Sequence, residues 1–124
     1  MRSDAIASLR FVIIDAADTE KEAAFWGTVL GVEVAERFGE GYVILEAGEA
    51  GAPKLTFQPV PESKVIKNRL HFDLKVPDIE AATTELETLG ASRVPDADYD
   101  MDGYRWRVMH DPEGNEFCIA VMDD

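Results

Sequence analysis

An internal repeat limits the fold of this chain more than any other feature of the sequence. Leu9–Asp18 (LRFVIIDAAD) and Leu70–Asp78 (LHFDLKVPD) both have the pattern of a strand that ends in Asp. After each Asp, apolar residues recur at helical spacing until a glycine, Gly31 or Gly90. Asp can cap the start of a helix, and Gly can close its end. The repeat therefore predicts two copies of one supersecondary unit.

Each copy continues with three further strands. The predicted helices are Thr19–Leu30 and Ile79–Leu89. The predicted strands that follow them are Val32–Arg37, Tyr42–Glu46 and Lys54–Pro59, then Ala91–Val94, Tyr104–His110 and Glu116–Val121. The order strand, helix, three strands predicts an α+β fold of two tandem βαβββ modules, not a parallel sheet of alternating βα units. The 124 residues are expected to form one domain. Module 1 covers about residues 7–59, the linker covers residues 60–68, and module 2 covers about residues 69–122.

Composition narrows the possible partners. The chain has 25 acidic and 12 basic side chains, and the resulting net charge of -13 repels phosphate backbones and anionic lipids. No apolar run approaches the roughly 20 residues that span a bilayer, and no signal peptide is expected. Cys118 is the only cysteine, so no intrachain disulfide can form. We expect a cytoplasmic protein that binds neither nucleic acid nor membranes.

Strand alternation selects the side chains that face away from the helices. His71 and Asp73 share that face of their strand, and Glu116 and Cys118 share it on the last strand. By the repeat, Phe11 and Gln58 take the corresponding face of module 1. The side of the sheet on which Trp106 lies is ambiguous. The alternating row Arg105, Arg107 and Met109 could take the face opposite the helices instead of Trp106.

Three segments carry a resemblance to a known family. FWGTVLGVEV resembles the helix-to-strand passage of the vicinal-oxygen-chelate superfamily, which includes glyoxalases, bleomycin-resistance proteins and extradiol dioxygenases, and HDPEGNEFCI resembles its final hairpin. With NRLHFDLKVPD, the matches extend over nearly the whole chain. The resemblance implies an open, cupped eight-stranded sheet around a ligand cavity, with one helix per module on the outside. It also implies a homodimer, the commonest symmetric assembly.

The metal site of that superfamily is largely missing. Metal-using members carry a ligand on the first strand of each half and a carboxylate on the last. His71 matches one position, but Phe11 and Cys118 occupy two others, and no carboxylate lies near Lys54–Thr56. Glu116 would fill the gap only after a shift of two residues. We therefore expect no divalent metal of the family type and no cofactor, and a non-standard way of holding a metal is left open.

Two functions remain compatible with this residue set. His71 and Glu116, with Asp73 as another partner for the histidine, could carry out acid-base chemistry on a small substrate. Alternatively, the protein could sequester a ligand without converting it, as the bleomycin-resistance branch does. The expected ligand-binding residues are Phe11, Gln58, His71, Asp73, Trp106, Glu116 and Cys118. The carboxylates favour a cationic guest, whereas an inward arginine pair would favour an anion. A metal-dependent lyase or dioxygenase of the same superfamily is the alternative.

Overall fold

The first of two compact units, called module 1, extends to Pro61. The computed structural model describes residues 4–122 of the chain. Module 1 consists of β1 Phe11–Ala16, α1 Thr19–Leu30, β2 Val34–Phe38, β3 Tyr42–Leu45 and β4 Lys54–Pro59. Its strands form one sheet in the order β1-β4-β3-β2. β1 runs parallel to β4, and the other neighbours are antiparallel.

The second unit, module 2, begins at Glu62 and repeats this plan. It consists of β5 Phe72–Lys75, α2 Ile79–Thr88, β6 Ser92–Met101, β7 Tyr104–His110 and β8 Glu116–Val121. Its sheet has the order β5-β8-β7-β6, again with the first and last strands parallel. The predicted α+β fold of two βαβββ modules is confirmed, and both sheets are open. The cavity common to the two modules stays a prediction. Neither helix is long and apolar enough to cross a bilayer.

The duplication holds residue by residue in the strand register. In module 1, Ile13 on β1 pairs with Thr56 on β4. In module 2, Asp73 on β5 pairs with Cys118 on β8. Ile13 and Asp73 each lie five residues before the Asp that caps the following helix. Equivalent positions of the two modules therefore carry different chemistry on the same backbone.

Both helices begin as the repeat predicts, and α1 also ends as predicted. The Asp18 carboxylate accepts a hydrogen bond from the Lys21 N–H, and the Asp78 carboxylate accepts from the Glu80 and Ala81 N–H groups. Gly31 adopts a φ of 68°, the left-handed conformation that only glycine takes without strain. α2 ends one residue earlier than predicted, because Leu89 is its C-cap.

Three of the six strands predicted after the helices differ from their predicted limits. β3 ends one residue early, at Leu45 instead of Glu46. β2 begins at Val34 instead of Val32, because the Val32 N–H bonds to the carbonyl of Gly27 and still belongs to the helix end. β6 was predicted to stop at Val94 and instead continues to Met101. Its pairing with β7 shifts between Arg93 and Asp98 around Asp96, which has a φ of 56°. Four residues of β6 stand opposite one residue of β7 at this point, so the ladder is irregular here without ending the strand.

The core of each module lies between its helix and its sheet. In module 1, Trp26 is buried to 1% exposure and meets Phe25 edge to face, with ring centroids 5.2 Å apart. In module 2, Met109, Phe117 and Ile119 are fully buried beneath α2. Phe25 and Trp26 are thus core residues.

Arg107 fixes the orientation of β7. Its guanidinium donates to Asp98 on β6 and to Glu80 on α2, each at 2.8 Å, and also to the Thr83 hydroxyl at 2.9 Å. The side chain therefore lies between the sheet and α2, with 5% of its area exposed. By alternation, Tyr104 and Trp106 face the other way. The ambiguity around Trp106 is resolved in favour of an aromatic row.

Candidate functional site

The candidate site lies on the side of the module 2 sheet that is turned away from α2, here called the far face. Strand pairing and alternation bring side chains from four strands to this face, including His71, which directly precedes β5. They are His71, Asp73, Lys75, Tyr99, Met101, Tyr104, Trp106, Val108, His110, Glu116, Cys118 and Ala120. The predicted row of His71 and Asp73 beside Glu116 and Cys118 is therefore reproduced by the register.

The polar centre of the far face consists of three side chains on two neighbouring strands. His71 Nε2 lies 3.3 Å from Asp73 Oδ1. Cys118 is the register partner of Asp73, and donor atoms of all three side chains lie within 4.8 Å of one another. The Tyr104 hydroxyl donates to Asp73 Oδ2 at 3.4 Å. Asp73 thus links the histidine, the thiol and the phenol.

Cys118 is held as a neutral thiol in this setting. Burial, followed by the nearby Asp73 carboxylate, raises its pKa to about 11, while the charge of Lys67 acts in the opposite direction. Burial and Asp73 also raise the pKa of the Tyr104 hydroxyl. A thiol with this pKa is a poor nucleophile at neutral pH. Covalent catalysis by Cys118 is therefore not favoured.

Glu116 is engaged by the linker instead of by His71. Its carboxylate accepts hydrogen bonds from Lys64 Nζ at 3.3 Å and from the Asn68 N–H at 3.1 Å. Burial opposes ionisation of Glu116, but these two donors and the backbone N–H of Glu116 itself together outweigh it and lower the pKa of the carboxyl. Glu116 therefore anchors the segment that leads into β5, and His71 has Asp73 as its close carboxylate partner.

Three aromatic rings form the apolar end of the far face. Tyr99 and Trp106 are stacked with centroids 5.2 Å apart and an interplanar angle of 24°. Tyr104 and Trp106 are also 5.2 Å apart, tilted by 50°. Tyr99 remains 47% exposed, so the group offers a free ring surface. Tyr104 joins this surface to the polar centre through its hydrogen bond to Asp73.

The predicted site residues are divided between the modules. Phe11 and Gln58 lie on the sheet of module 1, where their register partners are Lys54 and Asp15. Phe11 is 48% exposed, and Gln58 is half-buried. The other five predicted residues, His71, Asp73, Trp106, Glu116 and Cys118, all lie on the far face of module 2.

Sequence reasoning missed three residues of this site. Tyr99 lies on the part of β6 that the sequence assigned to a turn, although the alternation of Ala97, Tyr99 and Met101 is a strand signal. Lys64 and Asn68 lie in the predicted linker, and no local pattern in that segment indicates a contact with Glu116. Both contacts depend on tertiary packing.

The four-position metal set of the superfamily does not fit this chain. Two of its positions hold Phe11 and Cys118, and the repeat places Thr56, a hydroxyl, at the module 1 equivalent of Cys118. Hard divalent ions need several carboxylate or imidazole donors. His71, Asp73 and Cys118 form a different donor set, contained within module 2.

Comparison with known proteins agrees with this architecture. Residues 11–120 match the model of the glyoxalase-like domain family. A search of curated proteins finds no match. Among solved structures, the chain is similar to Oxidase ChaP-H2, with 20% identity, a TM-score of 0.68 and 96% of each chain covered.

Two further structures have the same fold. One is a glyoxalase/bleomycin resistance protein/dioxygenase family enzyme from Burkholderia phytofirmans PsJN, with 23% identity and a TM-score of 0.69 over 93% of this chain and 98% of the other. The second is a glyoxalase-related enzyme from Fulvimarina pelagi, with 17% identity and a TM-score of 0.70 over 94% and 89%. The chain belongs to the glyoxalase-like domain family, and with it to the vicinal-oxygen-chelate superfamily.

Proposed function

We propose that this protein binds a small planar molecule on the far face of module 2, without the four-ligand metal centre of its superfamily. The observation that carries this proposal is the aromatic group of Tyr99, Trp106 and Tyr104, joined to Asp73 by a hydrogen bond. Ligand sites combine apolar, often aromatic surface with a few polar groups that orient the guest. The far face has both parts.

The charge pattern favours a cationic guest over an anion of the same shape. Arg107 is buried against α2 and engaged by Asp98 and Glu80, so it is not available to an anion on the far face. The Asp73 carboxylate lies beside the rings, and the chain has a net charge of -13. A cation over an aromatic face gains about 0.5–2 kcal/mol.

Calorimetric titration tests the guest site. The probes are two fused-ring compounds of matched size, one with a quaternary nitrogen and one with a carboxylate. We expect the cation to bind more tightly, and Trp106→Leu to weaken its binding by about twofold to thirtyfold, the equivalent of 0.5–2 kcal/mol. The control is Phe38→Leu, which removes one ring of the Phe38–Tyr42 stack in module 1, whose centroids are 4.7 Å apart. Equal loss in both variants, or no binding of either probe, would refute the proposal.

A second candidate function is acid-base catalysis by His71. The His71–Asp73 distance of 3.3 Å supports it, because a carboxylate that orients an imidazole is a common arrangement in general acids and bases. Glu116 is the other predicted catalytic residue and would act from its anchored position. His71→Gln separates the two functions, since an enzyme would lose turnover while a sequestering protein would keep most of its affinity.

We also propose that the protein works as a homodimer in a reducing cytoplasm. Val65, Ile66 and Leu70 are 90%, 81% and 88% exposed, and Phe11 and Ile13 are exposed on β1, an edge strand of its sheet. Apolar surface of this kind is typical of protein interfaces. The single free thiol of Cys118 fits a reducing compartment.

A further inference from the structure

The far face contains a set of metal donors that differs from the family's own set. His71, Asp73 and Cys118 each offer one donor atom, and these atoms lie within 4.8 Å of one another. Only His71 and Cys118 occupy family ligand positions, and Cys118 replaces a carboxylate there. Asp73 occupies no such position and reaches the cluster through its register with Cys118.

We propose that His71, Asp73 and Cys118 bind one thiophilic divalent ion of the Zn²⁺ class, through imidazole nitrogen, carboxylate oxygen and thiolate sulfur. Soft thiolate ligands select Zn²⁺ and chemically similar ions such as Co²⁺ and Cd²⁺, whereas Mg²⁺, Ca²⁺ and Mn²⁺ prefer oxygen donors. Replacing a carboxylate by a cysteine therefore changes which ion the face can hold. It does not simply abolish binding.

The distances fit such an ion after small side-chain movements. Ligand atoms of a tetrahedral zinc site stand about 3.5 Å apart, given bonds of roughly 2.0–2.3 Å. The donors here are within 4.8 Å, with His71 and Asp73 already at 3.3 Å. Both of these side chains are 47% exposed and can rotate, while the buried Cys118 provides a fixed point.

The surrounding charges favour a cation at the same place. The Asp73 carboxylate disfavours a free thiolate beside it, and an ion between the two groups removes that repulsion. As sulfur bonds to the ion, the thiol proton is released to solvent. Lys67 opposes a cation here and Lys75 lies on the same face, whereas Lys64 is engaged by Glu116. Three protein donors leave one position of a four-coordinate ion open, which is typical of sites that take a further ligand.

Titration with Co²⁺ tests this inference, and the readout must be specific for sulfur. A chain with a charge of -13 attracts divalent cations diffusely, so stoichiometry alone is insufficient. We would titrate the reduced protein with Co²⁺ in excess Mg²⁺ and record the thiolate-to-cobalt charge-transfer absorption. We expect one Co²⁺ per chain, with Zn²⁺ displacing it.

Variants then assign the ligands. Cys118→Ser is expected to abolish the charge-transfer band. His71→Gln and Asp73→Asn are each expected to weaken binding by at least about tenfold, because loss of even an outer-shell partner costs 10–100-fold. His110→Gln, the other histidine, is the control and should bind as the parent does. Circular dichroism of each variant verifies that it is folded.

Two outcomes would overturn the inference: no charge-transfer band at millimolar Co²⁺, or a band that survives in folded His71→Gln and Asp73→Asn with unchanged affinity. Failure of ion binding is distinguishable from failure of the proposed function. The cationic probe can be titrated in the presence of chelator, with Trp106→Leu as the variant, and that experiment needs no metal ion. Probe binding that persists without a cobalt band rejects only the ion site.

Discussion

Removal of the Arg107 guanidinium should destabilise module 2 by an amount that depends on what replaces it. The guanidinium is 5% exposed, while its partners Glu80 and Asp98 are 72% and 53% exposed. Exposed carboxylates limit the value of an ion pair, so the Asp98 pair contributes about 1 kcal/mol. The hydrogen bond to Thr83 contributes about 1 kcal/mol more. Arg107→Met, which keeps an apolar stem, should therefore cost about 2 kcal/mol.

A shorter side chain should cost more, because packing is lost as well. Arg107→Ala removes two further buried methylenes at about 0.8 kcal/mol each, which brings the total to about 3.5 kcal/mol. Removing the guanidinium from water costs free energy, which offsets part of what its ion pair and hydrogen bond contribute to stability. The pKa of Arg107 is nevertheless raised, chiefly by its hydrogen bonds to Asp98 and Glu80, so pairing outweighs burial.

Urea unfolding followed by circular dichroism measures both losses as changes in the free energy of unfolding. Arg105→Met is the matched control, because Arg105 lies two residues away on the same side of β7 but is exposed. It should change the free energy of unfolding by no more than about 0.5 kcal/mol. If Arg107→Met is as stable as the parent, desolvation cancels the pairing and the reasoning is refuted.

Four further outcomes are expected. Asp78→Ala should lower the free energy of unfolding by about 1 kcal/mol in urea titrations, because it removes the cap of α2. Stability should decrease when the pH is lowered enough to protonate Glu80 and Asp98. Arg107 lowers the pKa values of these two carboxyls below the usual 4.5 and 3.8. Their contribution to stability is therefore present above the usual values and is lost as the pH falls through the lowered ones. Arg107→Met should flatten that part of the stability profile. Light scattering should give a mass near twice 13.7 kDa, and a persistent monomer at high concentration would exclude the dimer. Elemental analysis after dialysis against chelator should find no stoichiometric Zn, Fe, Mn or Ni, because Phe11 and Cys118 occupy two family ligand positions.

Local sequence signals predicted most of the backbone. Asp caps, glycine stops and strand alternation gave both helices and the limits of β4, β7 and β8. The length of β6 was not predictable from Pro95 and Asp96, because these residues suit both a turn and an irregular stretch inside a strand. The family resemblance placed Cys118 on the last strand, and alternation placed it on the same face as Asp73. The contact between them required the register of β5 and β8 as well.

The orientation of β7 shows why some of the site could not be predicted. Either alternating set of this strand, Trp106 with Tyr104 or Arg107 with Arg105, is compatible with one buried face. Burial of Arg107 becomes favourable only because Glu80 and Asp98 meet it, and these partners lie on other elements. The side of the sheet that carries the aromatic rings is thus decided by an ion-pair network on the opposite side.

The two modules keep one backbone but divide the chemistry between them. Positions equivalent to His71, Asp73 and Cys118 hold Phe11, Ile13 and Thr56 in module 1, in the same register. A duplicated unit can lose ligands in one copy without losing its fold, because these side chains lie on the face of the sheet that is turned away from the helix. His71 and Asp73 are half exposed, and substitutions at such positions change stability by about 0.5 kcal/mol or less. Variants at these two residues therefore report on binding and catalysis with little effect on folding, whereas changes at Phe117 or Ile119 beneath α2 would affect both.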